Sequence, residues 1–363
     1  MRVGIIDADL IGRKRHRFPN LACMKLSSYH RQSGDEVNLL SSYDKIAAYD
    51  KVYISKVFTD TPVPEGVLEL PQVEYGGTGF YFDKAPNLPD EIEHIMPDYH
   101  LYDGFIANQP NIREFKEYTD YSIGFMTRGC FRKCGFCVNQ KYDHVFKHSP
   151  LEEFYDPERK KICLLDDNFL GCKSWREMLQ ELISTGKAFK FKQGLDERLL
   201  TEEKVELLFS CKYDGDITFA FDRIEDYELI EDKLKLIRKY SKKQCVFYVL
   251  CGFDKTGKYN AEFWLQDIVN TFERIKLLGA YGCLPYLMRY EKYEESPHRG
   301  LYVTLARWLN QFSYFKKESL FEYVTITDYN NGGRASGRYL QEFEAEYPEI
   351  AKRYFYSKYF YKE

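Results

Sequence analysis

The stretch Ile123-Gly-Phe-Met-Thr-Arg-Gly-Cys130-Phe-Arg-Lys-Cys134-Gly-Phe-Cys137 joins a strand-like start to three cysteines spaced as C-x3-C-x2-C. Three thiols this close together suit a metal site better than a disulfide framework. Three Cys thiolates can hold an iron–sulfur cube and leave one iron with an open coordination position, at which a substrate can bind. The spacing therefore predicts a metal site on Cys130, Cys134 and Cys137.

A structural zinc site is the alternative, because zinc accepts Cys3His ligand sets. The nearest candidates for a fourth ligand are His144 and His148, which follow Cys137 at intervals that differ from the usual paired spacing of zinc ligands. The cysteine pattern therefore favours iron and sulfide, with zinc as the competing interpretation.

Composition limits the other functions. The net charge is −4, from 52 basic and 56 acidic residues, so no overall field attracts nucleic acid or an anionic membrane. No apolar run approaches the roughly 18 residues of a membrane span, so we expect a soluble protein without membrane contact. The chain has ten Cys and begins with a strand-like segment instead of a secretory signal, which predicts a reducing, cytoplasmic location.

Strands and helices alternate after the cysteines. Ser149-Pro150-Leu151-Glu152 has the pattern of a capping box at a helix start, and Ser174, Thr201 and Asn260 are placed to cap later helices. Counting the strand before the cysteines, the pattern predicts six βα units, which alone would fit either a barrel or a doubly wound sheet. The predicted later strands are 162–165, 189–193, 217–221, 246–250 and 284–289.

The cysteine pattern, with Phe136 as the aromatic residue before the last Cys, resembles the signature of the radical S-adenosylmethionine (SAM) superfamily. The resemblance implies an α/β fold with a partial (β/α)6 barrel over residues 121–312. It further implies a 4Fe-4S cluster on the three Cys, SAM bound at the open iron, and a reductant partner such as flavodoxin or ferredoxin. One electron from the cluster would cleave SAM to methionine and a 5'-deoxyadenosyl radical.

The same resemblance predicts which polar residues contact SAM. Asp166-Asp167-Asn168-Phe169 follows the second barrel strand, where the superfamily holds the SAM amino group; a helix-capping role is the alternative. Gln193, Asp196 and Arg198 follow the third strand, and the planar guanidinium of Arg198 suits the SAM carboxylate. An ion pair of Arg198 with Asp196 or Glu197 is the competing interpretation.

Two further residues reach the same edge of the predicted barrel by position alone. Asp222 follows the fourth strand and Cys251 the fifth, and Cys251 would relay a radical, ligate a second cluster, or be a small buried residue. No residue is assigned as the catalytic one.

Residues 1–105 are predicted to form a small Rossmann-like α/β domain. Its position resembles the cobalamin-binding domain of the B12-dependent radical SAM subgroup, and Tyr75-Gly-Gly-Thr-Gly79 resembles the glycine-rich turn of that domain. The subgroup's cobalt-ligating His is replaced by Asp9, a hard oxygen donor less suited to cobalt. The large side chains of Phe80, Tyr81 and Phe82 could also fill the space of a cofactor tail. We therefore expect no cofactor in this domain, with cobalamin bound without a His ligand as the alternative.

Three other segments complete the organisation. Residues 106–120 are predicted as a linker, and 313–363 as an aromatic-rich extension that packs on the barrel or, alternatively, stacks on bases. The basic run at 13–17 reads as a solvated loop or as a phosphate contact.

These features support two classes of function. The first is a radical SAM enzyme that abstracts hydrogen from an unidentified nucleic acid, peptide or small metabolite, or, alternatively, a cobalamin-dependent methyltransferase of the same superfamily. The second is a non-catalytic module that binds zinc and nucleic acid.

Overall fold

The computed structural model describes residues 1–330 and 335–361. Residues 331–334 and 362–363, which belong to the predicted extension 313–363, lie outside the described residues. The chain forms two compact units, Met1–Gln193 and Gly194–Glu363. The division after Gln193 falls inside the range 121–312 that the sequence suggested as one barrel.

Met1–Gln193 is a mixed α/β unit. Its strands and helices, in chain order, are β1 Arg2–Asp7, α1 Ala8–Gly12, α2 Leu21–Gln32, β2 Glu36–Leu39, β3 Lys51–Ser55, β4 Val73–Gly76, α3 Thr78–Tyr81, α4 Asp90–Glu93, α5 Asp103–Ala107, α6 Lys116–Thr119, β5 Tyr121–Gly124, β6 Thr127–Arg128, β7 Phe146–Lys147, β8 Lys161–Leu164, α7 Trp175–Ser184 and β9 Ala188–Phe191.

The first sheet of this unit is parallel, with strand order β2-β1-β3-β4. The Asn20 side chain caps α2 by accepting from the Cys23 N–H. Helix α2 buries its apolar face in a core shared with β1 and β2. Residues 106–120, suggested as a linker, add Ile106, Phe115 and Tyr118 to that core.

The second sheet of the unit is also parallel, with strand order β5-β8-β9. Tyr121, Ile123, Ile162 and Leu164 are buried, as expected for strands covered on both faces. The predicted helix at Ser149–Glu152 is wrong, since only a short 3-10 turn forms at Leu151–Glu153.

Gly194–Glu363 is the second unit. Its elements are α8 Glu202–Ser210, β10 Ile217–Ala220, α9 Tyr227–Tyr240, β11 Cys245–Cys251, α10 Ala261–Ala280, β12 Leu284–Arg289, α11 Arg299–Leu309, α12 Phe312–Phe315, α13 Leu320–Asn330, α14 Ser336–Glu346 and α15 Pro348–Tyr354.

The sheet of the second unit is parallel, with strand order β10-β11-β12. Thr201 and Asn260 cap α8 and α10 through their side chains, as the sequence predicted. The six predicted barrel strands thus form two three-stranded parallel sheets, one in each unit. The fold class is mixed α/β with parallel sheets.

Aromatic residues of the extension pack inside the second unit. Tyr354 stacks on Phe272 of α10 at 4.9 Å between ring centroids, and Tyr359 lies beside the same ring. Tyr354, Phe355 and Tyr359 are almost fully buried, so these three rings are part of the core.

Candidate functional site

The three signature cysteines lie on one loop, residues 129–145, between β6 and β7. The two short strands pair antiparallel, Thr127 with Lys147 and Arg128 with Phe146, and close the loop at its base. The His148 N–H extends the pairing by donating to Met126 O at 2.9 Å. Because β6 follows β5 directly, the loop begins at the carboxyl end of the first strand of the β5-β8-β9 sheet.

Gly129 fixes the entry of this cysteine loop. Its φ of +87° lies in the left-handed region, and a Cβ built on it would clash with the backbone oxygen of His144 on the returning side. Glycine is therefore required immediately before Cys130.

Two side chains hold the cysteine loop from within. Lys133 Nζ donates to Gln140 O at 2.9 Å and to Tyr142 O at 2.6 Å. Gln140 Nε2 donates to Cys134 O at 2.5 Å and to Cys137 O at 3.0 Å. Backbone oxygens on both sides of the loop are thereby paired.

The three thiols are half-buried, and Cys130 and Cys137 accept hydrogen bonds from nitrogen. Arg132 N donates to Cys130 Sγ at 3.3 Å, and Asn139 N donates to Cys137 Sγ at 3.3 Å. Asn168 Nδ2, from the neighbouring strand end, donates to Cys130 Sγ at 3.4 Å. Nitrogen donors to sulfur stabilise thiolates and are one of the means by which proteins tune iron–sulfur groups. The donor set therefore fits an iron–sulfur cluster.

Within residues 1–330 and 335–361, no group of three His, Cys, Asp or Glu side chains is arranged to hold a metal ion. His144 pairs with Asp143, and the His148 ring lies beside the His94 ring in a tilted arrangement, with 5.1 Å between ring centroids. Burial and the nearby Arg128 lower the pKa of His148 to about 4.

Asp166 fixes the base of the cysteine loop. Its carboxylate accepts from Met126 N at 3.3 Å and from both the N–H and the hydroxyl of Thr127 at 2.6 Å. The side chain is almost fully buried, and the loss of solvation raises its pKa to about 7.

The two residues after Asp166 also contact the entry of the cysteine loop. Asp167 Oδ2 accepts from Gly129 N at 2.8 Å, and Asn168 reaches Cys130 Sγ. Three consecutive residues after β8 thus bind consecutive positions leading to the first Cys. The sequence predicted contacts of these residues with SAM, which stay predictions, and it missed their contacts with the loop because β6 and β7 are too short to leave a periodic pattern.

Two further residues of this unit, Phe136 and Gln193, are predicted to contact SAM. Phe136 lies half-buried within the cysteine loop, and Gln193 is exposed at the end of the unit. Their predicted contacts with SAM stay predictions.

In the second unit, Arg198 forms the ion pairs that the sequence offered as its alternative role. Its guanidinium donates to Asp196 Oδ1 at 2.7 Å and to Asp226 Oδ2 at 3.3 Å. Glu197 lies 3.8 Å from Arg198, is almost fully buried, and accepts from Ala220 N at 3.1 Å. Burial, with Asp196 nearby, raises the pKa of Glu197 to about 8.

The ends of β10 and β11 are joined by a residue that the sequence analysis missed. Arg274 of α10 is buried and donates to the backbone oxygens of Phe221, Asp222 and Leu250 at 3.0, 2.8 and 2.8 Å. An arginine on the apolar face of a helix is a signal that could have found it. Asp222 accepts from Leu250 N at 3.2 Å, and burial raises its pKa.

Cys251 is a buried thiol. Its Sγ donates to Met288 O at 3.4 Å, and desolvation raises its pKa well above the usual range. Its burial agrees with the small buried residue among the three alternatives.

Asp9, at the position of the missing His, is used inside its own domain. It is buried, and it accepts from Val57 N at 2.7 Å, from Phe58 N at 3.4 Å and from the Thr61 hydroxyl. These contacts fix the loop after β3.

The glycine turn packs on that same loop after β3. A Cβ on Gly79 would lie 2.8 Å from Phe58 O, so the turn needs a residue without a side chain there. Tyr75 stacks on Tyr81 with 5.8 Å between ring centroids.

The basic run is partly neutralised by acidic partners. Arg13 pairs with Asp60 at 2.5 Å and Arg17 with Glu114 at 3.3 Å. Both guanidinium groups also lie over aromatic rings, those of Phe58 and Phe115. These contacts agree with a surface loop.

None of the helices in the described parts of the chain combines the length and apolar composition that crossing a bilayer requires.

Comparisons with known proteins give few matches. No family model matches the chain, and no curated protein matches it. Among solved structures, the chain is similar to the cobalamin-dependent S-adenosylmethionine radical enzyme OxsB with aqua-cobalamin and S-adenosylmethionine bound, at 13% identity and a TM-score of 0.38. OxsB with aqua-cobalamin alone gives 13% identity and a TM-score of 0.39. Each comparison covers 97% of this chain and 56% of the OxsB chain. At these TM-scores the similarity carries no argument about function.

Proposed function

We propose that the protein is a radical SAM enzyme whose Cys130, Cys134 and Cys137 bind a 4Fe-4S cluster. The substrate is a nucleic acid, a peptide or a small metabolite from which hydrogen is abstracted. When bound, the cluster supplies the electron that cleaves SAM reductively to a 5'-deoxyadenosyl radical. A one-electron reductant of the flavodoxin or ferredoxin type is the expected partner.

The observation that carries the proposal is the position of the cysteine loop. The C-x3-C-x2-C pattern follows β5 directly, so the three thiols stand at the carboxyl edge of a parallel sheet. That edge is where α/β proteins place their reactive groups. Three cysteine thiolates, with N–H donors to the sulfurs of Cys130 and Cys137, are a soft ligand set suited to iron and sulfide.

The chain's own residues hold the loop in place. Asp166 and Asp167 fix the backbone from Met126 to Gly129, and Gly129 provides the turn into the loop. Asp166 has its carboxylate committed to these contacts, so its main contribution is to position the loop. Direct contacts of Asp167, Asn168 and Phe136 with SAM are part of the proposal.

The cobalamin-dependent methyltransferase has no specific observation in its favour. Asp9 is occupied by three donors from residues 57–61 and does not face a ligand as an open carboxylate. We therefore propose a cobalamin-free reaction.

The test is anaerobic reconstitution with iron and sulfide. Wild-type protein should bind about four irons per chain. Cys130→Ala, Cys134→Ala and Cys137→Ala should each lose the cluster, while Cys172→Ala, which removes a buried thiol outside the loop, should keep it. Zinc in place of iron in the wild type, or equal iron in all four variants, would contradict the proposal.

A further inference from the structure

The side chain of Asn168 is directed at one of the three thiols. Its Nδ2 lies 3.4 Å from Cys130 Sγ, and the residue is only 3% exposed. Cys130 Sγ also accepts from Arg132 N at 3.3 Å, so this sulfur has one donor from its own loop and one from the adjacent strand end.

The residues before and after Asn168 are held in place by contacts with the cysteine loop and its base. The two preceding carboxylates are bonded to the backbone of Thr127 and Gly129. After it, a 3-10 turn at Phe169–Gly171 packs closely on the cysteine loop, because a Cβ on Gly171 would lie 2.9 Å from the Phe131 ring and 3.0 Å from Val145. The backbone on both sides of Asn168 is therefore held by contacts with the residues around Cys130.

A hydrogen bond to a ligating sulfur does not act equally on the two redox states of a cluster. The reduced state carries one more negative charge, so the donor stabilises it more strongly. Partners of metal ligands tune the metal in this way without touching it.

We propose that Asn168 is a positioning residue that bonds the Cys130 thiolate and raises the reduction potential of the bound cluster. This inference rests on the proposed cluster at Cys130, Cys134 and Cys137. It gives Asn168 a role toward a protein ligand that is separate from the contact with the SAM amino group.

The test measures the midpoint potential of the reconstituted full-length protein by EPR-monitored redox titration, with iron content measured in parallel. Asn168→Ala removes the donor, and we expect a more negative potential at unchanged iron content. Asn168→Asp keeps the shape but replaces the donor with a charged acceptor, so its potential should be more negative still.

Asn139→Ala is the matched control. It removes a carboxamide from the cysteine loop but leaves the backbone Asn139 N–H that donates to Cys137 Sγ. The wild-type reduction potential should therefore be retained. A purely structural role for Asn168 would change iron content without shifting the potential of the loaded fraction.

Wild-type potential in both Asn168 variants would overturn the inference while leaving the proposed cluster intact. Absence of iron from wild-type protein would instead overturn the proposed function, and the inference with it.

Discussion

Asp167 Oδ2 accepts a hydrogen bond from the backbone N–H of Gly129 at 2.8 Å, which joins the end of β8 to the residue before the first signature cysteine. The acceptor is a carboxylate and the donor stands at a turn that only glycine adopts comfortably. The bond therefore fixes where the cysteine loop begins.

Removing this acceptor should loosen the loop. We expect Asp167→Ala to lower the free energy of unfolding by about 1–3 kcal/mol, the usual cost of an unpaired buried donor, and to reduce iron content after reconstitution. Asp143→Ala, which removes an exposed carboxylate from the same loop, should bind as much iron as the wild type. Equal iron content in the two variants would contradict the anchoring role.

Gly129→Ala should be more damaging. Its φ of +87° and the clash with His144 O both oppose a side chain, so a loss of about 1–3 kcal/mol is expected in urea unfolding, together with loss of iron. Gly104→Ala is the control, since a Cβ there meets no atom within 4 Å. A Gly129→Ala protein as stable as the control would show that the turn can rearrange.

The buried Glu197 should make stability depend on pH. Its pKa is raised from 4.5 to about 8 in the folded protein, so between these values the folded state binds more protons than the unfolded chain. The contribution of Glu197 to the free energy of unfolding is therefore fully present below pH 4.5. It falls as the pH rises toward 8, by at most about 1.4 kcal/mol per pH unit. Above pH 8 the contribution is constant.

Glu197→Gln keeps an acceptor for Ala220 N but cannot ionise, so urea unfolding between pH 5 and 8 should show a smaller decline than in the wild type. Glu206→Gln changes an exposed residue of α8 and should leave the decline as it is. Identical pH profiles for wild type and Glu197→Gln would contradict the assignment.

Two measurements on Arg198→Ala separate the ion-pair role of Arg198 from its predicted contact with SAM. Arg198→Ala leaves Asp196 and Asp226 without this partner, and a loss of stability of about 1–3 kcal/mol is expected. Arg223→Ala also removes a guanidinium from Asp226, but from an exposed position, and should cost less. SAM affinity, measured by equilibrium dialysis, should fall for Arg198→Ala alone; unchanged affinity would remove Arg198 from the SAM contacts.

The N-terminal domain should not retain cobalamin. Asp9 is committed to donors at residues 57–61, so full-length protein incubated with hydroxocobalamin and desalted should show no corrin absorbance. Stoichiometric retained cobalamin would instead favour the cobalamin-dependent methyltransferase over the cobalamin-free reaction.

Local features of the sequence predicted much of the fold. Thr201 and Asn260 cap their helices as expected, because a capping side chain needs only the backbone next to it. Ser174 stands at the N-cap of α7 but makes no side-chain cap bond there. The helix expected at Ser149–Glu152 fails for a tertiary reason. Phe154 is buried and packs so tightly against Gly124 that a Cβ there would clash with its ring, which directs the chain away from a longer helix.

The candidate site was predicted in its composition but not in its contacts. The cysteine spacing and the polar residues after β8 can be read directly from the sequence. The contacts of Asp166, Asp167 and Asn168 with residues 126–130 depend on two strands brought side by side, and no spacing rule encodes them. The same holds for Arg274, whose three carbonyl partners come from two different strand ends.

The contacts between 166–168 and 126–130 also restrict how the chain can change in length. Adding or deleting one residue in either segment would slide one row of partners past the other by about 3.3 Å, farther than a hydrogen bond can stretch. Such a change would separate Asp167 from Gly129 and Asn168 from Cys130 together, even with all three cysteines present. Two segments almost forty positions apart in the sequence are thus bound to keep a common register.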